Sequence, residues 1–252
     1  MPASPAARGA RSRVKPAPRG SRGSARPVES SLALSATPPS TSLTDRAYTA
    51  IEELIVRLEL APGSAVSEAM LSQRLEIGRT PIREALQRLA RERLVRILPR
   101  RGVIVAEIDV RGQLRLLEVR RELERLIARA AARRASEVER ERFAAIAHAF
   151  ETAAKKSDDV AFLRTDREFN ELMVATSRNE FAQAAMALMA SLSRRFWYLH
   201  YREAADMPLA AKLHADVARG ISGGDAEAAA RASDALLDYI ETFTRTTVTS
   251  DF

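Results

Sequence analysis

Two arginines and one threonine, Arg79, Arg83 and Thr80, stand at the start of a short helical pattern, residues 79 to 91. Thr80 is a residue type that favours the N-cap, and Pro81 suits the first helical position, where an N–H would have no partner in any case. Apolar residues then recur at helical spacing and predict a buried face. The remaining side chains are therefore predicted to form an exposed face that begins at the positive end of the helix.

The exposed face is predicted to carry Arg79, Arg83, Gln87 and Arg91, with Thr80 at the N-cap. A helix N-terminus attracts anions, and an arginine can bind phosphate oxygens or donate two hydrogen bonds to a guanine edge. These residue types at this spacing favour contact with the major groove of DNA. We expect the N-terminal end of the helix to contact the bases.

A short two-stranded hairpin is predicted directly after this helix. Apolar residues alternate with others over 95–97 and again over 103–105, and the sequence PRRG at 99–102 predicts the turn. Arg100 and Arg101 would lie at its tip. Eight arginines and two glutamates occur from the start of the helix to this tip. Charge alone usually marks a solvated surface, but charge at both a helix start and a hairpin tip favours DNA binding.

Two further helices are predicted upstream. An apolar stripe from Ala47 to Leu58 predicts the first, which ends at the sequence APG of residues 61–63, and Ser67 is predicted to begin the second. Three helices followed by a hairpin form a winged helix-turn-helix. The sequence therefore predicts a DNA-binding domain over residues 43–108.

Residues 60–105 resemble the winged helix-turn-helix of GntR-family bacterial transcription regulators. The matching motifs are Pro62–Gly63, Arg79–Leu86 (RTPIREAL), and Pro99 with Arg101–Gly102. The resemblance implies that Arg79, Thr80 and Arg83 contact double-stranded operator DNA. It also implies that Gly102 approaches the minor groove.

From residue 109 onward the hydrophobic pattern is helical. Six amphipathic segments with short breaks predict an antiparallel bundle. The predicted helices are Val110–Arg134, one that starts at Ser136 with Glu139 in capping-box position, Asp159–Ala175, Asn179–Tyr201, Pro208–Ile221 and Asp225–Thr244. The predicted fold class is mostly α, with an N-terminal winged helix-turn-helix that carries a small β-hairpin wing, and an all-α domain of about six helices at residues 109–246.

The helical half resembles the FCD domain, the effector-binding and dimerisation domain of one large branch of the GntR family. The matching segments are Glu118–Arg120, Leu123–Glu124, Asp166–Phe169, Ser177–Asn179, His214 and Asp225–Ala229. The resemblance implies a homodimeric transcription regulator, predicted to be a repressor, whose operator affinity changes when a small carboxylate binds between the helices. The alternative is a DNA-binding protein whose bundle serves only for dimerisation.

Many FCD domains hold a divalent metal such as zinc with an Asp, a His one helical turn later, and two further His. Asp166 and His214 match this set, whereas Asn170 stands at the position of the first His and Leu236 at that of the third. An amide oxygen is a weaker ligand than imidazole, and Leu is none. Three interpretations are open: a weakly held metal, a ligand set completed by another side chain such as His200, or a polar pair without metal.

A pocket without metal would need another cation to bind a carboxylate. Arg120 stands at the family's Arg position, and Arg194 and Arg195 precede the aromatic residues 196–198. Alternatively, each arginine forms a surface salt bridge, which is the commoner role of an arginine on a helix. The predicted effector-binding residues are Arg120, Asp166, Asn170, Arg194 and His214.

Composition limits the class of protein. The chain of 252 residues has no Cys and three His, and its apolar runs are shorter than a membrane span. It has no recognisable nucleophile motif, so an enzyme is not predicted. We expect a cytoplasmic bacterial protein without a membrane segment.

The net charge of +7 comes mainly from residues 1–42, which contain seven basic residues and one acidic residue. This segment is rich in Ala, Pro, Ser and Gly and is predicted to be a disordered tail that adds salt-sensitive attraction to DNA. Its composition also resembles a transit peptide, and a start codon placed too far upstream is a third interpretation. Residues 247–252 are predicted to form a C-terminal tail.

Overall fold

The computed structural model describes residues 42–99 and 102–249. Its elements are α1 Leu43–Val56, β1 Ala65–Val66, α2 Glu68–Leu75, α3 Arg79–Arg91, β2 Val95–Leu98, β3 Gly102–Val105, α4 Val110–Arg134, α5 Glu137–Lys156, α6 Asp159–Thr176, α7 Glu180–Ala204, α8 Met207–Ser222 and α9 Ala226–Thr249. The predicted fold class is confirmed: a winged helix-turn-helix, here called the winged region (residues 43–105), precedes an all-helical part, here called the helical region (residues 110–249). Of the predicted basic tail at residues 1–42, residues 1–41 lie outside the described residues, whereas Ser42 is the N-cap of α1. The predicted wing-tip residues Arg100 and Arg101 and residues 250–252 also lie outside the described residues.

The winged region has a hydrophobic core of its own. Ile51, Leu71 and Ile82 from its three helices are fully buried. Ser67 caps α2 as predicted, and its side chain accepts a hydrogen bond from the backbone N–H of Met70. The core therefore fixes α3 against α1 and α2 and leaves one face of α3 in solvent.

The N-terminus of α3 differs from the prediction. Its N-cap is Gly78 rather than Thr80, and Pro81 is the third helical residue. Proline is tolerated there because the first intrahelical hydrogen bond runs from Ile82 N to Gly78 O, so the earlier N–H groups of the helix have no helical acceptor. Thr80 consequently lies within the first turn and is exposed.

The wing contains a third strand that the sequence pattern did not indicate. β1 pairs antiparallel with β3, and β3 pairs antiparallel with β2, so the strand order is β1-β3-β2. Val95 lies opposite Val105 and both are buried, as their alternation predicts. Ile97, which the same alternation predicted to be inward, is 49% exposed. It lies nearer the turn on an edge strand, where its side chain stays in solvent.

Helices α4 to α9 build the helical region. α5 packs against α8, α4 against α9, and α8 against α9, around a core that includes Phe143, Phe150 and Phe169. α4 spans the predicted residues, whereas α9 continues to Thr249 and takes in part of the predicted C-terminal tail. No helix within the described part of the chain combines the length and the apolar character that a membrane span needs.

The capping box predicted at the start of α5 is confirmed. Ser136 accepts a hydrogen bond from Glu139 N, and the Glu139 carboxylate accepts one from Ser136 N at 2.9 Å. Arg178 Nη2 donates to both oxygens of the same carboxylate at 2.7 and 2.8 Å. The backbone hydrogen bond from Ser136, followed by the bond from Arg178, lowers the pKa of Glu139 to about 2.

Replacing Glu139 by alanine should lower the free energy of unfolding by about 2 kcal/mol near pH 7, because the capping bond and the ion pair are both lost. The folded pKa is below the unfolded one, so the stabilisation is complete above the ordinary pKa of Glu and is lost as the pH falls toward about 2. Urea unfolding at pH 7 and pH 3 measures the difference, with Glu137→Ala in the same turn as the control. A difference between wild type and Glu139→Ala that is equal at both pH values would contradict this explanation.

Candidate DNA interface and candidate effector site

The four residues of α3 predicted to contact DNA lie on its exposed face. Arg79, Thr80, Arg83 and Gln87 are all exposed, whereas Ile82 on the opposite face is fully buried. The first three surround the helix N-terminus, where backbone N–H groups without helical partners add positive potential. The arrangement can therefore bind phosphate oxygens and base edges at one end of the helix.

Arg83 is held by Glu68, the first residue of α2. Arg83 Nε donates to Glu68 Oε1 at 2.8 Å, and Arg83 Nη2 donates to Glu68 Oε2 at 2.7 Å. This bond from Arg83 lowers the pKa of Glu68, and the charges of Arg83 and Arg79 lower it further. Sequence reasoning missed Glu68, because its position at the start of the neighbouring helix carries no signal of what it contacts.

Arg88 lies on the same helix but packs against α1. Its guanidinium lies 3.6 Å from the ring centroid of Tyr48, whose hydroxyl donates to Glu92 at 2.7 Å. Burial, followed by the hydrogen bond to Glu92, raises the pKa of Tyr48 above its ordinary range. Arg88 therefore connects α3 to α1. It does not belong to the DNA-facing surface, so fewer positive charges face DNA than the number of arginines on α3 suggests.

Gly102 begins β3 directly after the tip of the wing. Its φ is +91°, a conformation that side-chain-bearing residues rarely adopt. Glycine is thus required by the backbone at this point, and it also leaves the strand without a side chain where the wing would approach DNA. Arg100 and Arg101, the other two predicted wing residues, lie outside the described part of the chain.

Three of the predicted effector-site residues are brought together between α6 and α8. His214 Nε2 lies 3.1 Å from Asp166 Oδ1, and Asn170 Nδ2 donates to the same oxygen at 2.9 Å. His214 Nδ1 lies 2.7 Å from the backbone oxygen of Ala210. Both neighbours of the ring are acceptors, so each ring nitrogen that carries a hydrogen can donate to the acceptor beside it. Asp166 and His214 are 48 residues apart in the chain and form a polar contact. The sequence allows this polar pair as one of three interpretations, beside a weakly held metal and a ligand set completed by another side chain.

Aromatic rings surround His214. The ring centroids of Phe150, Phe162 and Phe169 lie 5.0, 5.5 and 6.0 Å from that of His214. Phe162 also borders a cavity of about 290 Å³ between the end of α5 and the starts of α6 and α8. The charged residues that line this cavity are Asp158, Asp159 and Asp206, and the first and last of these cap helices. The cavity is therefore lined by three aspartates and by the ring of Phe162, which also packs against His214.

The residues near His214 do not fit the metal set that the FCD resemblance implies. Leu236, at the position of the third His, is buried and apolar, and Asn170 directs its amide nitrogen at Asp166. His200 packs its ring 4.7 Å from that of Phe196. The described residues contain no group of three or more His, Cys, Asp or Glu that could hold a metal ion. The two predicted ligands Asp166 and His214 thus lie together without the further ligands that a zinc site uses.

Arg120 is paired within its own helix. Its Nε donates to Glu124 Oε1 at 2.6 Å, and the two side chains are only 13% and 3% exposed. A buried carboxylate needs such a cation, because an unpaired charge away from water is costly. Arg120 therefore neutralises Glu124, and any further anion at this point would have to share the guanidinium.

The structure places Arg194 at the winged region instead of in a pocket. Its Nη1 donates to Glu52 Oε1 at 2.9 Å and its Nη2 to Glu53 Oε2 at 3.1 Å, both on α1. Ser191 donates to the same Glu52 oxygen at 2.7 Å. Glu52 is nearly buried, so this contact fixes α7 to α1 through a desolvated carboxylate.

Arg195 forms the second contact between α7 and the winged region. It is 2% exposed, and its Nη1 and Nη2 donate to the backbone oxygens of Ala106 and Glu107 at 2.8 and 3.0 Å. Burial lowers the pKa of Arg195 to about 10. The two carbonyls belong to the segment that follows β3, so the guanidinium holds the base of the wing.

The same helix reaches the aromatic residues of the helical region. The Trp197 ring lies 6.3 Å from that of Phe162 and 4.8 Å from that of Phe243 on α9. Leu192, one turn earlier, packs against the core of the winged region. α7 therefore contacts the interior of both regions within two turns.

A winged helix-turn-helix joined to an all-helical region defines a DNA-binding transcription regulator. The winged region matches the family model described as bacterial regulatory proteins, gntR family, over residues 43–105. The helical region matches the FCD domain model over residues 115–239. The chain belongs to the GntR family of transcription regulators, in the branch with an FCD domain, and its relatives are regulators rather than enzymes.

Curated relatives match between half and about four fifths of this chain. The HTH-type transcriptional repressor RspR of Escherichia coli is 24% identical over 198 residues, which cover 79% of this chain and 87% of RspR. A regulator in the TAR-I ttuE-ttuC' intergenic region of Agrobacterium vitis is 32% identical over 132 residues, covering 51% of this chain and 77% of that protein. The Nta operon transcriptional regulator of Aminobacter aminovorans is 29% identical over 130 residues, covering 50% of this chain and 60% of that protein.

Solved structures share the fold. E. coli McbR/YncC superposes with a TM-score of 0.72 at 16% identity, over 83% of this chain and 100% of that one. A GntR regulator from Rhodococcus sp. RHA1 gives a TM-score of 0.58 at 19% identity, over 81% of this chain and 97% of that one. At these identities the likeness concerns the fold.

Proposed function

We propose that this protein is a repressor that binds operator DNA as a homodimer and whose operator affinity changes when a small carboxylate binds in the helical region. The observation that carries the proposal is the pair of contacts made by α7. Arg195 bonds the base of the wing, and Trp197 packs against Phe162, which lies beside His214. A helix in contact with both places can transmit a change from one to the other. The protein acts in the bacterial cytoplasm, where the operator DNA lies.

On DNA, α3 enters the major groove and the wing approaches the neighbouring minor groove. Arg79, Thr80, Arg83 and Gln87 contact bases and phosphates, and residues 100–102 contact the minor groove. The exposed positions of the α3 side chains and the positive φ of Gly102 support this assignment. A two-fold symmetric homodimer would place two copies of α3 on the two halves of a palindromic operator.

In the helical region, the proposed effector contacts are His214, Asp166 and Asn170, with Arg120 as a further cation. The imidazole of His214 supplies a hydrogen-bonding group, and the cavity beside Phe162 supplies space. The aspartates that line the cavity repel an anion, so the acid group of an effector would lie away from them, on the side of Phe162. A metal is not needed for this arrangement.

Thermal unfolding in the presence of sugar acids, hydroxy acids, amino acids and dicarboxylates tests the effector assignment. A ligand that binds only the folded state raises the midpoint, and the same acid should change the operator Kd in a gel-shift titration. No shift with any of these acids would favour the second candidate, a regulator whose helical region serves only for dimerisation. The phenylalanine rings packed around His214 are the observation that favours this second candidate.

Replacing His214 by alanine should abolish the effector response and leave operator binding by the free protein within about twofold, because the polar contacts of His214 within the described residues, to Asp166 and Ala210, lie in the helical region. Operator titrations with and without the identified acid measure the response. His148→Ala, an exposed histidine on α5, is the control, and Asp166→Asn provides a second, milder change at the same place. A His214→Ala protein that folds and responds like wild type would exclude this site.

A further inference from the structure

Glu68 and Arg83 form a bidentate ion pair near the N-terminal end of α3, the end that we propose to contact the bases. The carboxylate and the guanidinium meet through two parallel hydrogen bonds of 2.8 and 2.7 Å. Both side chains remain accessible, with 60% of Arg83 and 32% of Glu68 exposed. Ser67 caps α2 directly before Glu68 and thereby fixes the backbone from which the carboxylate projects.

The pair leaves one edge of the guanidinium available. A guanidinium has five N–H donors in a planar fork, and Glu68 uses Nε and one hydrogen of Nη2. The end of the fork, with Nη1 and the second hydrogen of Nη2, keeps two donors side by side. Two such donors match the O6 and N7 acceptors of guanine in the major groove.

The pair also restricts where Arg83 can point. A free arginine has many rotamers and can bind a phosphate as well as a base, whereas an arginine held on one edge has already lost much of that freedom. A carboxylate near DNA is otherwise unfavourable, because it repels the phosphate backbone. The hydrogen bond from Arg83, followed by the charges of Arg83 and Arg79, lowers the pKa of Glu68.

We propose that Glu68 is a specificity-determining residue that positions Arg83 to bond a guanine and disfavours its use on phosphate. The inference rests on the proposed role of α3 in DNA contact. It assigns to Glu68 an effect on the choice of base, exerted through Arg83, with no direct bond from Glu68 to DNA.

The test uses the full-length protein and an operator obtained by selection from random duplex DNA with the wild type. Kd values are measured for this operator and for each single-base change in it. Glu68→Ala and Glu68→Gln should lower the discrimination at one guanine position by about five- to tenfold, which is part of the roughly 5- to 150-fold penalty for a wrong base at one position. Affinity for random DNA should stay the same or rise, since a negative charge is removed.

Glu59→Ala is the matched control, because Glu59 forms another exposed ion pair in the winged region, with Arg74 of α2. It makes the same change in charge and should leave discrimination at every position unchanged. The Glu68→Ala/Arg83→Ala protein should show the discrimination of Arg83→Ala alone, since Glu68 acts through Arg83.

Two outcomes would overturn the proposal: unchanged discrimination in Glu68→Ala, or a further loss of discrimination in the double variant. Unchanged discrimination together with a higher operator affinity would mean that Glu68 only competes with DNA for Arg83. Failure of the α3 assignment itself has a different signature, because Arg83→Ala would then bind the operator like wild type. A loss in Arg83→Ala with no change in Glu68→Ala overturns the role of Glu68 alone.

Discussion

Replacing Arg83 by alanine is expected to weaken operator binding by about 1 to 3 kcal/mol, which corresponds to roughly a 5- to 150-fold higher Kd. Arg83 lies on the exposed face of α3, one turn from the helix start, and its contacts within the protein are with another exposed side chain. Its removal therefore costs little in folding, because exposed ion pairs contribute little to stability. Gel-shift titration at fixed salt measures the affinity, and circular dichroism confirms the fold.

Arg91→Ala is the matched control for Arg83→Ala. Arg91 is also exposed on α3, but it lies at the C-terminal end of the helix, about 12 Å farther along its axis. It should alter the salt dependence slightly and leave the preference for the operator intact. Equal losses in both variants would show that α3 contributes only charge, and no loss in either would show that another surface contacts DNA.

Replacing Arg195 by methionine is expected to remove the effector response while the winged region still binds DNA. A typical response is about 5- to 150-fold in Kd, and it should fall close to onefold when the wing base is no longer held by α7. The change also leaves the carbonyls of Ala106 and Glu107 without their donors, which should lower the free energy of unfolding by about 1 to 3 kcal/mol. Operator titrations with and without the acid that gives the largest thermal shift measure the response.

Arg202→Met is the control for Arg195→Met, because Arg202 lies on the same helix and contacts Tyr201. Hydrogen exchange gives a measure that needs no effector: amides of residues 106–109 should exchange faster in Arg195→Met and at the wild-type rate in Arg202→Met. An Arg195→Met protein with wild-type exchange in this segment and a full response would refute the role of α7 in transmission.

The sequence alone was sufficient for the elements whose signals are local. A cap such as Ser67 or the pair Ser136 and Glu139 acts within one helical turn, so it can be read from residues three positions apart. The apolar period of α4 predicted its ends without error. The exposed positions of Arg79, Arg83, Gln87 and Arg91 followed from the apolar period of α3, because a buried face defines its opposite face.

Only the tertiary structure decided which side chains meet. Arg194 and Glu52 lie 142 positions apart, and neither has a neighbour in sequence that indicates the other. Strand β1 exists because β3 offers a partner, since its two residues have no strand signal of their own. Arg83 could be assigned to an exposed face from sequence, but its orientation by Glu68 depends on how α2 packs on α3. The resemblance implied that Asp166 and His214 lie at one site. It did not indicate that phenylalanine rings from α5 and α6 would enclose His214. Helix periods and caps are local properties of the chain, and the choice of partner for each charged group is set by packing between distant segments.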